Sequence, residues 1–220
     1  MLHYLTTRIF LMVFSLLGVL TVTFMLTQVI PGDPAQVMAG RWASEEQVQK
    51  IRERLGLDRP IFIQYIDYLK GLIRLDLGVS IMSQQPITKE LSNYFPKTVE
   101  LILVAMLINL SVGVPLGIIA AVARGGFIDL LSRLVAVLGS AAPTFWVGLV
   151  FQLVFYFHLG ILPQGGRLGL GQTPPPPVTG LGTVDSLIAG NFSLFMDHVT
   201  HLILPAVTLG MGFIAVIARV

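Results

Sequence analysis

The chain has 220 residues with 14 Lys and Arg, 12 Asp and Glu and a formal net charge of +2. Charged residues thus make up 12% of it, where a soluble domain holds about 25%. Together with a mean hydropathy of +0.80, this sets aside a soluble protein, and the small net charge gives no basis for binding nucleic acid or an acidic substrate. The absence of cysteine excludes disulfides, thiolate metal sites and cysteine nucleophiles.

The first element is an uncharged run from 9 to 30, IFLMVFSLLGVLTVTFMLTQVI. Roughly 20 such residues at ~1.5 Å each cover the ~30 Å hydrocarbon core of a bilayer. The run is too long for the apolar core of a cleaved signal peptide and is followed by PGDP rather than a small-x-small site. Pro31 and Pro34 cannot continue a helix, whereas Gly32 and Asp33 suit a turn, so PGDP reads as a stop at the membrane surface.

The segment from 31 to 97 mixes nine Lys and Arg with eight Asp and Glu. Within it, SEEQVQKIRERLGL places Ser44 and Gln47 in a capping-box relation, Val48, Ile51 and Leu55 on one face, and Gly56 as a stop. This spacing predicts a short amphipathic helix. A second is predicted over 61–75, IFIQYIDYLKGLIRL, with Ile61, Tyr65, Leu69, Leu72 and Ile73 along a broad apolar stripe. Its apolar side either lies on the membrane surface or packs on other helices.

Three more spans are predicted at 98–122, 134–157 and 199–218. Gly113, Gly117 and Ala121, and likewise Ala136, Ser140, Thr144 and Gly148, recur every four residues and allow helices to approach closely. Pro115, Pro143 and Pro205 interrupt the backbone ladders of these spans. Arg8, Arg124, Arg133 and Arg219 flank the span ends on one side, which the positive-inside rule makes cytoplasmic. The outer segments are then 31–97 and 158–198, and the inner loop is 123–133. That loop either touches a cytoplasmic partner or lies at the lipid interface.

Glu100, at the edge of the second span, is the one Asp, Glu, Lys or Arg within the four apolar cores, which argues against a carrier coupled to protons or sodium. The segment QGGRLGLGQTPPPPVTGLGTVDSLIAG, 164–190, reads as a loop with a stiff extended piece at Pro174 to Pro177. Its glycines lack the strand and the Lys-Ser/Thr of a phosphate loop, and no G-x-x-x-x-G-K-[ST] occurs in the chain. His198 and His201 form an H-x-x-H, with His158 in the same outer segment. Two imidazoles without a fixed third ligand are a weak metal signal, and the site is predicted to hold no metal.

Taken together, "IPGDPA", "LGLDRPIFIQY", "RLDLGVSI", "GVPLGIIAAV", "PTFWVGL", "LGILPQGG" and "HLILPAVTLG" follow one another in an order that resembles the inner-membrane permease subunits of bacterial dipeptide and oligopeptide ABC importers. The family also contains permeases for nickel and glutathione, so the resemblance fixes the class rather than the cargo. It implies an all-α, polytopic membrane fold in a single permease domain, 1–220, with four transmembrane helices visible of an expected six and an outer helical cap. It also implies a second homologous permease, two cytoplasmic ATPase subunits that bind ATP and Mg, and an extracytoplasmic substrate-binding protein. The chain itself would have no catalytic residue and no cofactor. The expected setting is the cytoplasmic membrane of a prokaryote, with the N-terminus inside.

On this resemblance, the turn at Pro31, Gly32, Asp33 and Pro34 would start the cap on which the binding protein docks. Thr144, Phe145 and Trp146, beside Pro143, are candidates for the translocation path, with helix packing as their other reading. The ATPase-coupling loop of such permeases is expected just after a span like 199–218, so a chain ending at Val220 is expected to be truncated. Two other classes remain at this stage. One is a four-helix membrane scaffold or assembly protein; the other is an enzyme using His158, His198 or His201 at the outer surface.

Overall fold

A computed structural model describes residues 1–29, 33–122, 125–127 and 141–217. Among the described residues the secondary structure is helical, with one isolated antiparallel bridge between Val79 and Pro86, as the all-α expectation requires. Three helices among the described residues are long and apolar enough to cross a membrane, at His3–Leu26, Ile87–Ile119 and Phe192–Met211, and a shorter apolar helix covers Thr144–His158. The remainder of the third predicted span, 134–140, lies outside the described residues, as does most of the inner loop.

The chain divides into two compact units, Met1–Leu91 and Ser92–Val220. In the first, α1 (Leu2–Val29) exposes apolar side chains along most of its length, including Phe10, Leu11, Phe14 and Met25. Such a surface is stable only in lipid or against other helices. The first helix after PGDP is α2 (Pro34–Ala39), which begins with proline at its first position and is capped by Asp33. The sequence suggests a stop and the start of a cap at this stretch, and the structure adds that Asp33 is the N-cap of the next helix.

Helix α3 (Glu45–Leu55) forms as its pattern predicts. Ser44 Oγ accepts from the Gln47 N–H while Gln47 returns its amide oxygen to the Ser44 N–H, and Gly56 takes the left-handed conformation at φ +68°. Helix α4 (Ile61–Ile73) follows Pro60 and packs on α1. The Phe24 ring lies 5.2 Å from that of Tyr65 and 5.6 Å from that of Tyr68, and the Tyr65 hydroxyl meets Thr21 Oγ1 at 2.6 Å. A polar handle and two aromatic pairs therefore fix α4 against an otherwise apolar helix.

Helix α5 (Ile87–Ile108) starts eleven residues before the predicted span and carries Pro96 within it. The span boundary at 98 is thus a change of solvent, not a helix end. The helix passes into a π-helical segment, Asn109–Gly113, and continues as α6 (Val114–Val122). Pro115 lacks an N–H and its ring crowds the carbonyl four residues back, and the widened turn just before it accommodates both.

In the second unit, α7 (Thr144–Phe151) begins at Pro143, which serves as its N-cap rather than a kink within a continuous helix. It runs into a second π-helical segment, Gln152–His158. The short α8 (Gly182–Ile188) follows the proline-rich loop, and α9 (Phe192–Ile217) contains Pro205. Helices α7, α8 and the Asn109–Gly113 segment each pack on α9. Gly148 allows one of these approaches, since a Cβ there would lie 3.3 Å from Thr208 Cγ2.

Candidate functional site

In the first unit, Asp33 has two roles. One carboxylate oxygen accepts from the Ala35 N–H at 3.0 Å, and the other pairs with the Arg52 guanidinium of α3. This ties the turn after α1 to α3. Between α2 and α3 lies an open cleft of about 580 Å³ whose lining includes Asp33, Gln36, Glu45, Glu46, Gln49 and Arg52. Three carboxylates against one guanidinium make it a polar, net acidic surface. Of the predicted docking turn, Asp33 and Pro34 are placed at this cleft edge and α2 start, while Pro31 and Gly32 lie outside the described residues.

In the second unit a denser arrangement holds the proline-rich loop. Glu100, on α5, is 3% exposed. It accepts from the Thr183 N–H and hydroxyl, both at 2.7 Å, and from the Gly182 N–H at 3.1 Å, and it pairs with the Arg167 guanidinium. A carboxylate from a distant helix therefore caps the first turn of α8, whose own N-cap, Leu181, has no side-chain acceptor. Four donors thus meet this buried carboxylate, as burial of such a group requires.

The α8 turn is also closed on its other side. The His198 Nδ1–H donates to the Leu194 carbonyl at 2.9 Å, with Ser186 Oγ 3.2 Å away, and the Ser186 hydroxyl donates to the Gly182 carbonyl at 2.7 Å. A Cβ on Gly182 would overlap the His198 ring and approach Arg167 Nη2 to 2.9 Å. Gly180, at φ +79°, faces Pro96 in the same manner, with a Cβ falling 2.9 Å from its ring. Only glycine fits at these two positions.

Asp185 gathers the residues just before α8. It accepts from the Thr179 hydroxyl and N–H, each at 2.7 Å, and from the Gly180 N–H at 3.0 Å. Burial opposes its charge, yet the Thr179 hydroxyl and the N–H groups of Thr179, Gly180 and Val178 outweigh it and hold the carboxyl below its ordinary range. Asp197 accepts from the Gly169 N–H at 2.7 Å, and the Gln152 side chain donates to the Gln164 carbonyl at 2.9 Å. The loop is thus pinned on both sides of Pro174 to Pro177.

These bonds account for the histidines as well. His201 Nδ1 donates to the Asp197 carbonyl at 2.7 Å, so both members of the H-x-x-H spend their Nδ1 proton on the helix backbone. Among the described residues no three His, Asp or Glu are grouped to hold a metal ion. His158 ends the second π-helical segment. Of the pathway candidates, Thr144, Phe145 and Trp146 lie on the exposed side of α7, with Val147 buried and Gly148 against Thr208 of α9.

Sequence reasoning placed Glu100 at a membrane interface and missed its partner. The signal was there in two observations: one acid at the edge of an apolar span, and one base, Arg167, in the outer segment 158–198. Asn109 was missed too. It is 6% exposed inside the π-helical turn, its amide donates to the Ala105 carbonyl at 2.9 Å, and its buried Oδ1 has no hydrogen-bond partner among the described residues. It faces Gly210 of α9, where a Cβ would come within 3.3 Å of Asn109 Nδ2.

Comparison with known proteins gives two matches in succession. Residues 1–102 match the family described as "Binding-prot-dependent transport system membrane comp, N-term", and residues 113–220 match "Binding-protein-dependent transport system inner membrane component". The chain is 45% identical over 202 residues to the probable D,D-dipeptide transport system permease protein DdpB of Escherichia coli, covering 92% of this chain and 59% of that one. It is 38% identical over 222 residues to the dipeptide transport system permease protein DppB of Alkalihalophilus pseudofirmus, covering 100% of this chain and 66% of that one. With the di/tripeptide transport system permease protein DppB of Pseudomonas aeruginosa the identity is 39% over 220 residues, covering 100% of this chain and 65% of that one. The chain therefore spans less than two thirds of the length of these curated relatives.

Proposed function

We propose that the chain, whose residues 1–102 and 113–220 match the two parts of the binding-protein-dependent transport system membrane component, belongs to that family and is a permease subunit of an ABC importer, forming part of the path for dipeptides or similar small solutes. The observation that carries this reading is the succession of the two permease matches over 1–102 and 113–220, with relatives named for dipeptide transport along the same residues. Cargo arrives from an extracytoplasmic binding protein and passes between this subunit and a second, homologous permease. Energy comes from ATP and Mg bound by two separate ATPase subunits, a partnership supported by the match to a binding-protein-dependent transport system. The protein sits in a prokaryotic cytoplasmic membrane with its N-terminus inside, an orientation supported by Arg8, Arg124, Arg133 and Arg219.

On this reading the Asp33 turn and the cleft beside it belong to the outer face and receive the binding protein. Thr144, Phe145 and Trp146 line the path. The test is uptake of a radiolabelled dipeptide by cells that depend on this permease, together with stimulation of ATPase activity by the binding protein in the purified complex. Loss of uptake on deletion of the chain, restored by the wild-type gene, is expected, and uptake independent of the chain overturns the reading. Asp33→Ala is expected to lower uptake several-fold while the amount in the membrane stays constant. Unchanged uptake removes the docking role of the turn.

A further inference from the structure

Helix α4 has three distinct faces, and one of them packs on another helix among the described residues. On a helix of about 3.6 residues per turn, Tyr65, Tyr68 and Leu72 share the side packed on α1, where Phe24 and Thr21 meet the two tyrosines. Next to it runs a stripe made of Phe62, Ile66, Leu69 and Ile73, whose outer members are strongly exposed, Phe62 at 69% and Ile73 at 83%. The remaining side carries Asp67, Lys70 and Arg74, all exposed, with Ile63 interrupting it at one end.

The depth of the contact says what covers the apolar stripe. Phe24 and Thr21 lie in the second half of the apolar run from 9 to 30, so α4 is held beside lipid toward the end of the stretch of α1 that is apolar enough to cross the membrane. A helix fixed at that level lies at the boundary between head groups and acyl chains, where amphipathic helices bury their apolar face by about 5–10 Å. Val22, Met25 and Leu26, on the same stretch of α1 as Phe24, are themselves exposed and apolar, so the helix on which α4 docks presents a lipid-compatible surface there. Lys70 and Arg74 on the polar side suit the anionic head groups of such a layer.

We infer that α4 is an interfacial helix, docked on α1 through Tyr65 and Tyr68 and lying in the membrane surface with Phe62, Leu69 and Ile73 against lipid acyl chains. The inference needs α1 to span the membrane and goes beyond the transport reading. The outer segment is then held at the bilayer along its length and not only at the end of α1.

The absence of native cysteine allows a direct test. Nitroxide labels are placed singly on Phe62→Cys, Ile73→Cys, Lys70→Cys and Arg74→Cys variants of the full-length protein in its native assembly, in vesicles of phosphatidylethanolamine and phosphatidylglycerol. Collision with oxygen, which concentrates in lipid, is compared with collision with a water-soluble nickel chelate. Leu11→Cys on α1 and Gln49→Cys on α3 provide the lipid and water references. Labels at 62 and 73 are expected to show an oxygen-to-nickel ratio several-fold above those at 70 and 74 and near that at 11. Dominant nickel collision at 62 and 73 places the stripe in water, and exclusion of both reagents there places it under a protein partner; either result overturns the inference.

Discussion

Glu100 is satisfied by four donors drawn from 67 to 83 residues further along the chain, so its removal strands all of them at once. Glu100→Ala is expected to destabilise the second unit by about 2–3 kcal/mol, seen as a lower Tm in detergent. The value falls below that of a fully buried pair because Arg167 keeps 34% of its side-chain surface exposed. Gly182→Ala should act through overlap rather than charge, and the second change His198→Ala should recover part of its loss; equal losses in the single and double variants would show that the overlap is not the cause. Asp185 adds a pH dependence of known sign. Its folded pKa lies below the ordinary 3.8, so its contribution is complete above that value and disappears as the pH falls through the lower folded value. Protease cleavage near Thr179 should rise in that acid range, and Asp185→Asn should remove the dependence.

Among the elements, the π-helical turn at Asn109 and its neighbour Gly210 act as one contact. Gly210→Ala brings a Cβ within 3.3 Å of the Asn109 amide and is expected to cost about 1 kcal/mol, relieved by Asn109→Ala in the double variant. A thermal shift that is additive in the two changes would separate them. Elements built by local rules were legible in the sequence: the capping box and terminal glycine of α3, the start of α4 after Pro60, the apolar core of α1. The elements that were missed depend on distant partners. Asp33, which was read as a turn residue, starts α2 while held by Arg52, and α8 is capped by a carboxylate from another helix. The early start of α5 was missed for a different reason, since polarity marks where a helix leaves lipid and says nothing of where its hydrogen bonds begin.

For the whole molecule, orientation is the property that the proposed function most needs. In intact cells, Gln49→Cys should react with an impermeant maleimide and His3→Cys only after lysis; the opposite pattern would invert the assignment of inner and outer segments. The helical class was legible because long apolar runs largely determine it. The candidate site was legible only in fragments, as a lone acid, a lone base and a few glycines, because the bonds that join them cross from helix to loop. That separation also affects how the protein is made. Thr183 follows Glu100 by 83 residues, and at about 5–20 residues per second the ribosome takes roughly 4–16 s to supply it. During that interval the span leaves the insertion machinery with a carboxylate that has yet to meet its donors. Substitutions at Arg167 or Thr183 therefore weigh on biogenesis first, reducing how many chains survive quality control before they alter what each surviving chain does.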